Sequence, residues 1–152
     1  MNSFFKFWST RPNQKYWVLL PLGYTFFLQI LTGFPKPDSL KDLDANELFI
    51  RFSEELFDYP FWLQDLSHLP LFYVLAWLWS WFLGSIQSIS AILKNKAFLF
   101  SIFYACANEM AQAFIPDRFP SLGDLIMNLA GVSLGLTLHS ILCRKNKAIA
   151  HN

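Results

Sequence analysis

Hydrophobic positions fall into four long runs. Residues 16–34 and 69–93 carry no charged side chain, 97–116 carries only Glu109, and 119–143 carries only Asp124. A helix needs about 20 apolar residues to cross a hydrocarbon layer of about 30 Å. In lipid, a helix also satisfies its own backbone polar groups. The pattern therefore predicts four transmembrane helices at about 16–34, 69–93, 97–116 and 119–143. The first run follows Lys6, Arg11 and Lys15, as a signal peptide would. It is too long for a signal-peptide apolar region, and no small-x-small cleavage site follows it, so it reads as a span.

The polar stretch between the first two runs has a period of its own. Asp44 and Glu47 stand at capping-box spacing, and Leu48, Phe52 and Leu56 follow at four-residue intervals. Phe49 and Phe57 widen the apolar face, Glu47, Arg51, Glu54, Glu55 and Asp58 supply the polar one, and Pro35, Pro37 and Pro60 bracket the stretch. About 44–58 is expected to be an amphipathic helix, either a surface anchor or a lid. The fold class that results is all-α: a polytopic membrane protein, a four-transmembrane-helix bundle with an amphipathic surface helix between the first and second spans. It occupies 1–152 as one domain.

Composition agrees with that reading. Of 152 residues, 54% are hydrophobic, 18% aromatic and 15% charged, with a mean hydropathy of +0.31. Soluble domains are nearer about 25% charged. A net charge of +1 offers no basic stripe for nucleic acid. Cys106 and Cys143 fall at different depths, which fits packing rather than a disulfide. Tryptophans and tyrosines near the span ends read as interfacial anchors.

Charge placement suggests an orientation. Residues 1–15, Lys94 with Lys96, and Arg144, Lys145 and Lys147 together give eight cations and no acid, whereas 35–68 holds eight acids. The positive-inside rule then puts both termini in the cytoplasm of a bacterial inner membrane, as an even number of spans requires. The remaining polar residues gather at the extracytoplasmic end. Asp65 and His68 are three apart, as are Glu109 and Gln112 before Pro116. Asp124, Asn128, Gly131 and Gly135 make one helical stripe, and Arg118 and Ser121 lie in the turn between them. Ionisable groups inside a membrane are costly and usually functional. A structural clasp built from Glu109, Arg118 and Asp124 is the other reading. Gly131 and Gly135 suit close helix packing.

The stretch Glu109-x-x-Gln112-x-Phe114-x-Pro116-x-Arg118-x-x-Ser121-x-x-Asp124-x-x-x-Asn128-x-x-Gly131-x-x-x-Gly135 resembles the signature of the VanZ-like membrane proteins. The resemblance covers roughly residues 60–140 and extends to the acid-to-histidine element Asp65-Leu66-Ser67-His68, which lacks the lysine the family pattern carries after its acid. It implies a small membrane-embedded helical protein of the cell envelope, in a family whose founding member is associated with resistance to the glycopeptide teicoplanin.

Three functions follow as expectations. The first is a polar pocket that binds or modifies an envelope lipid, a lipid-linked glycan or a glycopeptide. Asp65, Gln112, Arg118, Ser121, Asp124 and Asn128 would bind the ligand, and His68 and Glu109 would serve as acid and base if a reaction occurs. The second is a metal-dependent hydrolase or transferase using His68, Asp65, Glu109 and Asp124, although no cofactor is required by the sequence and no dense ligand motif is present. The third, a small transporter or channel, lacks a repeat and a polar path through the other half. A homo-oligomer is compatible with all three. Whether the protein is an enzyme stays open.

Overall fold

The computed structural model describes residues 3–33, 66–112, 114–115 and 121–150. Its described residues form the helices α1 (Ser3–Ser9), α2 (Leu19–Thr32), α3 (His68–Leu83), α4 (Lys96–Gln112) and α5 (Leu122–Ala150). Short 3-10 turns at Lys15–Val18 and Ile89–Lys94 lead into α2 and α4. The expected amphipathic helix at 44–58 lies outside the described residues.

α3 is the central element because it is apolar on almost every side. Phe72, Leu75, Ala76, Leu78, Trp79 and Trp81 are all buried along it. Leu28 of α2, Ala97 and Ala105 of α4, and Val132 and Leu136 of α5 complete the core around Phe72, Leu75, Ala76 and Trp79. Three donors pin α2 to its neighbours. Tyr24 Oη donates to Leu71 O at 3.0 Å, Trp79 Nε1 to Thr25 Oγ1 at 3.1 Å, and Tyr104 Oη to Thr25 O at 3.2 Å. Burial pushes the Tyr104 phenol up to about 12, so this hydroxyl keeps its proton as a donor.

The closest helix pair is α3 with α5. Contacts advance together along both, from His68 with Asn128 to Ser80 with His139, so the two run parallel. On α5 the buried positions are Asn128, Gly131, Val132, Gly135, Leu136, His139, Ser140 and Cys143, one face at intervals of three and four. Two glycines bring the backbones together there. A Cβ at Gly131 would stand 2.3 Å from Leu69 O, and one at Gly135 would stand 2.4 Å from Tyr73 O.

The four-span expectation is overturned. Among the described residues only one helix, Leu122–Ile149 with 28 residues, is long and apolar enough to cross a membrane. α3 is apolar but stops after 16 residues, and α2 and α4 have 14 and 17. At 1.5 Å per residue these three reach only about 21–26 Å. Absence of charge did not guarantee helix continuity. The run at 69–93 breaks at Gly84, whose φ of +114° is open to glycine but strained for other residues. The chain then continues without helix to Ser88 and enters a 3-10 turn. The run at 16–34 begins with a 3-10 turn, and α4 stops at Gln112 instead of reaching Pro116. The polytopic, four-transmembrane-helix bundle therefore does not hold, nor does the multi-pass localisation. The cytoplasmic side of both termini and the extracytoplasmic placement of the polar groups, which the positive-inside rule assigned to the segments between four spans, fall with that multi-pass topology.

Charge is nonetheless segregated along the molecule. All eight described lysines and arginines lie in α1 and the chain leading from it to α2, at the start of α4 and at the end of α5, and the two described acids, Glu109 and Asp124, lie near the end of α4 and the start of α5.

Candidate functional site

The polar end is assembled from the start of α3, the last turns of α4 and the first turns of α5. Ser121 begins α5 by capping it. Its Oγ accepts from Gly123 N at 3.1 Å and from Asp124 N at 3.4 Å, covering donors that a helix N-terminus leaves unpaired. Glu109 Oε1 accepts a 2.5 Å hydrogen bond from Ser121 N, which places a carboxylate of α4 at the positive end of the α5 dipole. Ser121 thus has a definite local task, holding the end of α4 to the beginning of α5.

His68 lies at the start of α3 between two acceptors. Its Nδ1 is 3.0 Å from Asn128 Oδ1 and its Nε2 is 3.6 Å from Asp124 Oδ1. The contact with Asn128 is of hydrogen-bond length, and the one with Asp124 is an ion-pair distance beyond it. The His68 and Asp124 side chains are only 12% and 14% exposed. Contacts therefore run without a break from Glu109 through Ser121 and Asp124 to His68 and Asn128, linking α4, α5 and α3.

Beside this chain lies a set of buried carboxamides. Asn108, Gln112 and Asn128 are all 3% exposed or less. Asn108 Oδ1 lies 2.7 Å from Thr32 Oγ1, which ties in α2. Asn108 Nδ2, Gln112 Nε2 and Asn128 Nδ2 have no acceptor. A buried donor without a partner costs about 1–3 kcal/mol, so three in one region is a heavy penalty for a purely structural cluster. Asn108 was not singled out in the sequence. The signal that finds it is its position one residue before Glu109 and four before Gln112, on the same face of α4.

Of the expected site residues, the structure brings His68, Asp124 and Asn128 into contact and joins Glu109 to Ser121. Gln112 is buried on α4, and Gly131 and Gly135 sit under α3. Asp65, Pro116 and Arg118 lie outside the described residues. Among the described residues, no three of histidine, cysteine, aspartate and glutamate come together as a metal-ligand set.

These features define an all-α protein with one long apolar helix, whose polar groups converge where three helices meet. The match to known families is specific: the family model VanZ/LLP1 covers residues 21–143, and the chain belongs to that family. The match takes in α2 as well as the polar end. No curated protein and no solved structure matches the chain.

Proposed function

We propose that this VanZ/LLP1-family protein is membrane-associated and uses its polar end to bind the oxygen-rich head of an envelope lipid, a lipid-linked glycan or a glycopeptide. The observation that carries the reading is the trio of buried amide donors on Asn108, Gln112 and Asn128, each lacking an acceptor. Sugar hydroxyls, amide carbonyls and phosphate oxygens are the acceptors such donors recognise. The His68 imidazole and the Asp124 carboxylate stand 3.6 Å apart at the same end, and Glu109 adds a carboxylate already held in place by the α5 N-terminus.

Association with lipid is supported by the outer faces of the helices. Leu19, Phe26 and Ile30 of α2 and Phe103 of α4 are more than half exposed, and Leu134 and Leu138 of α5 are nearly so. Large apolar side chains left open on three helices suit contact with lipid. The antibiotic-resistance setting of the family supplies the glycopeptide among the candidate ligands.

The test is binding of the detergent-purified chain to a lipid-linked glycan and to teicoplanin. The comparison is with Asn128→Leu and Gln112→Leu, which keep approximate volume but remove the donors. Loss of about tenfold in affinity or more for one probe is expected, the equivalent of about 1.4 kcal/mol. Mass analysis of the recovered probe decides between binding and chemical modification. Failure of both probes to bind, or wild-type affinity in folded variants, would overturn the reading.

A further inference from the structure

Away from these donors, α1 lies as a strap across α3 and α5. Trp81 Nε1 donates to Phe7 O at 3.0 Å, His139 Nε2 lies 3.0 Å from Trp8 O, and Asn146 Nδ2 donates to Ser9 Oγ at 2.8 Å. Where the chain turns from α1 toward α2, an open hollow of about 330 Å³ forms against the strap. Two cationic residues, Lys6 and Arg11, line it together with two that carry hydroxyls, Ser3 and Thr10. Ser3, Lys6 and Thr10 follow one another at intervals of three and four, the spacing that brings side chains to one face.

The hollow is built on a stiff frame. Phe7, Trp17 and Trp81 also line it and pack on one another. Their ring centroids are 5.5 Å apart for Phe7 and Trp17, 5.2 Å for Phe7 and Trp81, and 5.7 Å for Trp17 and Trp81. Arg11 is anchored through Nε, which donates to Phe82 O at 2.9 Å. Its two Nη groups have no hydrogen-bonded partner among the described residues, and the Lys6 ammonium has none either. The two described acids, Glu109 and Asp124, do not line the hollow, so no described carboxylate neutralises these cations.

Two cations beside two hydroxyls suit an anion with several acceptor oxygens. A carboxylate brings two oxygens and one charge, whereas a phosphate monoester brings three free oxygens and about −1.5 to −2 charge. The arginine fork matches such oxygens in pairs, and lysine adds a point charge. A flat aromatic ligand finds little open ring to stack on, because Trp81 is 1% exposed and Trp17 packs against it and Phe7. We propose that this hollow is a phosphate site, in which Lys6 and Arg11 hold the oxygens of a phosphate group and Ser3 and Thr10 donate to them. A lipid headgroup and a soluble phosphate present the same group. The outer side of the next element favours the headgroup: Tyr16 and Leu19 are more than half exposed and Leu22 nearly so, three residues apart and beginning beside Trp17.

Inorganic phosphate and dioctanoyl phosphatidic acid are each titrated with the full chain in maltoside detergent at constant ionic strength, and the phosphorus NMR line is followed. Saturable, protein-dependent broadening is expected for both, with severalfold tighter binding of the lipid. Equal affinity for the two would support the site and make its ligand a soluble phosphate. Lys6→Gln and Arg11→Gln should each weaken binding about fivefold or more. Lys6→Gln removes none of the bonds that hold the strap, so it remains decisive if Arg11→Gln disturbs the contact with Phe82. Lys15→Gln, at a cation that does not line the hollow, should bind as the wild type does. No broadening with either probe, wild-type binding in Lys6→Gln, or an equal loss in Lys15→Gln would overturn the proposal. Every substituted position lies outside the polar end, so this test and that of the proposed function succeed or fail separately.

Discussion

Leu69 and Gly131 meet backbone to backbone, so that a Cβ on the glycine would stand 2.3 Å from the leucine carbonyl oxygen and 3.0 Å from Tyr73 N. This approach sets the polar end. His68 immediately precedes Leu69, and Asn128 lies three residues, almost one turn, before Gly131. The depth at which α3 rests on α5 therefore fixes the 3.0 Å separation of His68 Nδ1 from Asn128 Oδ1.

Replacing Gly131 by alanine tests that relationship. In an open helix the change would gain up to about 1 kcal/mol in helix propensity. Here the new methyl meets backbone, which cannot move aside like a flexible side chain, and overpacking costs about 1–3 kcal/mol. Net destabilisation is expected in denaturant unfolding, with a longer His68–Asn128 contact. Gly23→Ala is the control. Nothing lies within 4 Å of a Cβ there, so it should be neutral or slightly stabilising. Equal effects at the two sites would show that α3 does not rest on Gly131.

Ser121 offers a second check, on how the end of α4 is held to the start of α5. Ser121→Ala removes the oxygen that accepts from Gly123 N and Asp124 N and should cost about 1 kcal/mol. Glu109→Gln keeps an acceptor for Ser121 N but removes the charge at the helix N-terminus, an interaction of typically about 0.3–1 kcal/mol. Amide hydrogen exchange is expected to quicken in the first turn of α5 in both variants, more in Ser121→Ala. Unchanged protection in Ser121→Ala would remove the cap from the account.

The parts of this organisation that could be read from the sequence are those set by helical period. Asn128, Gly131 and Gly135 share a stripe whatever packs against them, and the spaced pattern from Glu109 to Gly135 suffices to place the family. Helix length was not legible. Nothing in an uncharged run shows that Gly84 leaves helical geometry or that Ser85 to Ser88 run without helix. Four spans were expected where one helix among the described residues is long enough. Asn108 escaped notice because an uncharged amide beside a glutamate carries no signal until its burial and its contact with Thr32 are known. The strap that α1 makes across α3 and α5 is equally hidden, since its partners Trp81, His139 and Asn146 lie at least 70 residues away in sequence.

His139 is the residue on which that strap most depends. It is 2% exposed, with Nδ1 2.8 Å from Ser80 Oγ and Nε2 3.0 Å from Trp8 O. With the serine donating to Nδ1, the Nε2–H is free to donate to the backbone carbonyl, so the ring joins α3, α5 and α1 through two bonds. Leucine at this position leaves Ser80 Oγ, itself fully buried, and Trp8 O to find other partners, each loss costing about 1–3 kcal/mol. Detachment of α1 is expected before global unfolding, because the core around Phe72 and Trp79 contains no residue of α1. Limited proteolysis should then cut His139→Leu between α1 and α2 faster than the wild type. Tryptophan emission should shift to the red as the ring contact between Trp8 and Trp81, centroids 5.0 Å apart, is lost. Wild-type cleavage rates in a variant with unchanged emission would mean that Trp81, Cys143 and Asn146 hold the strap without His139.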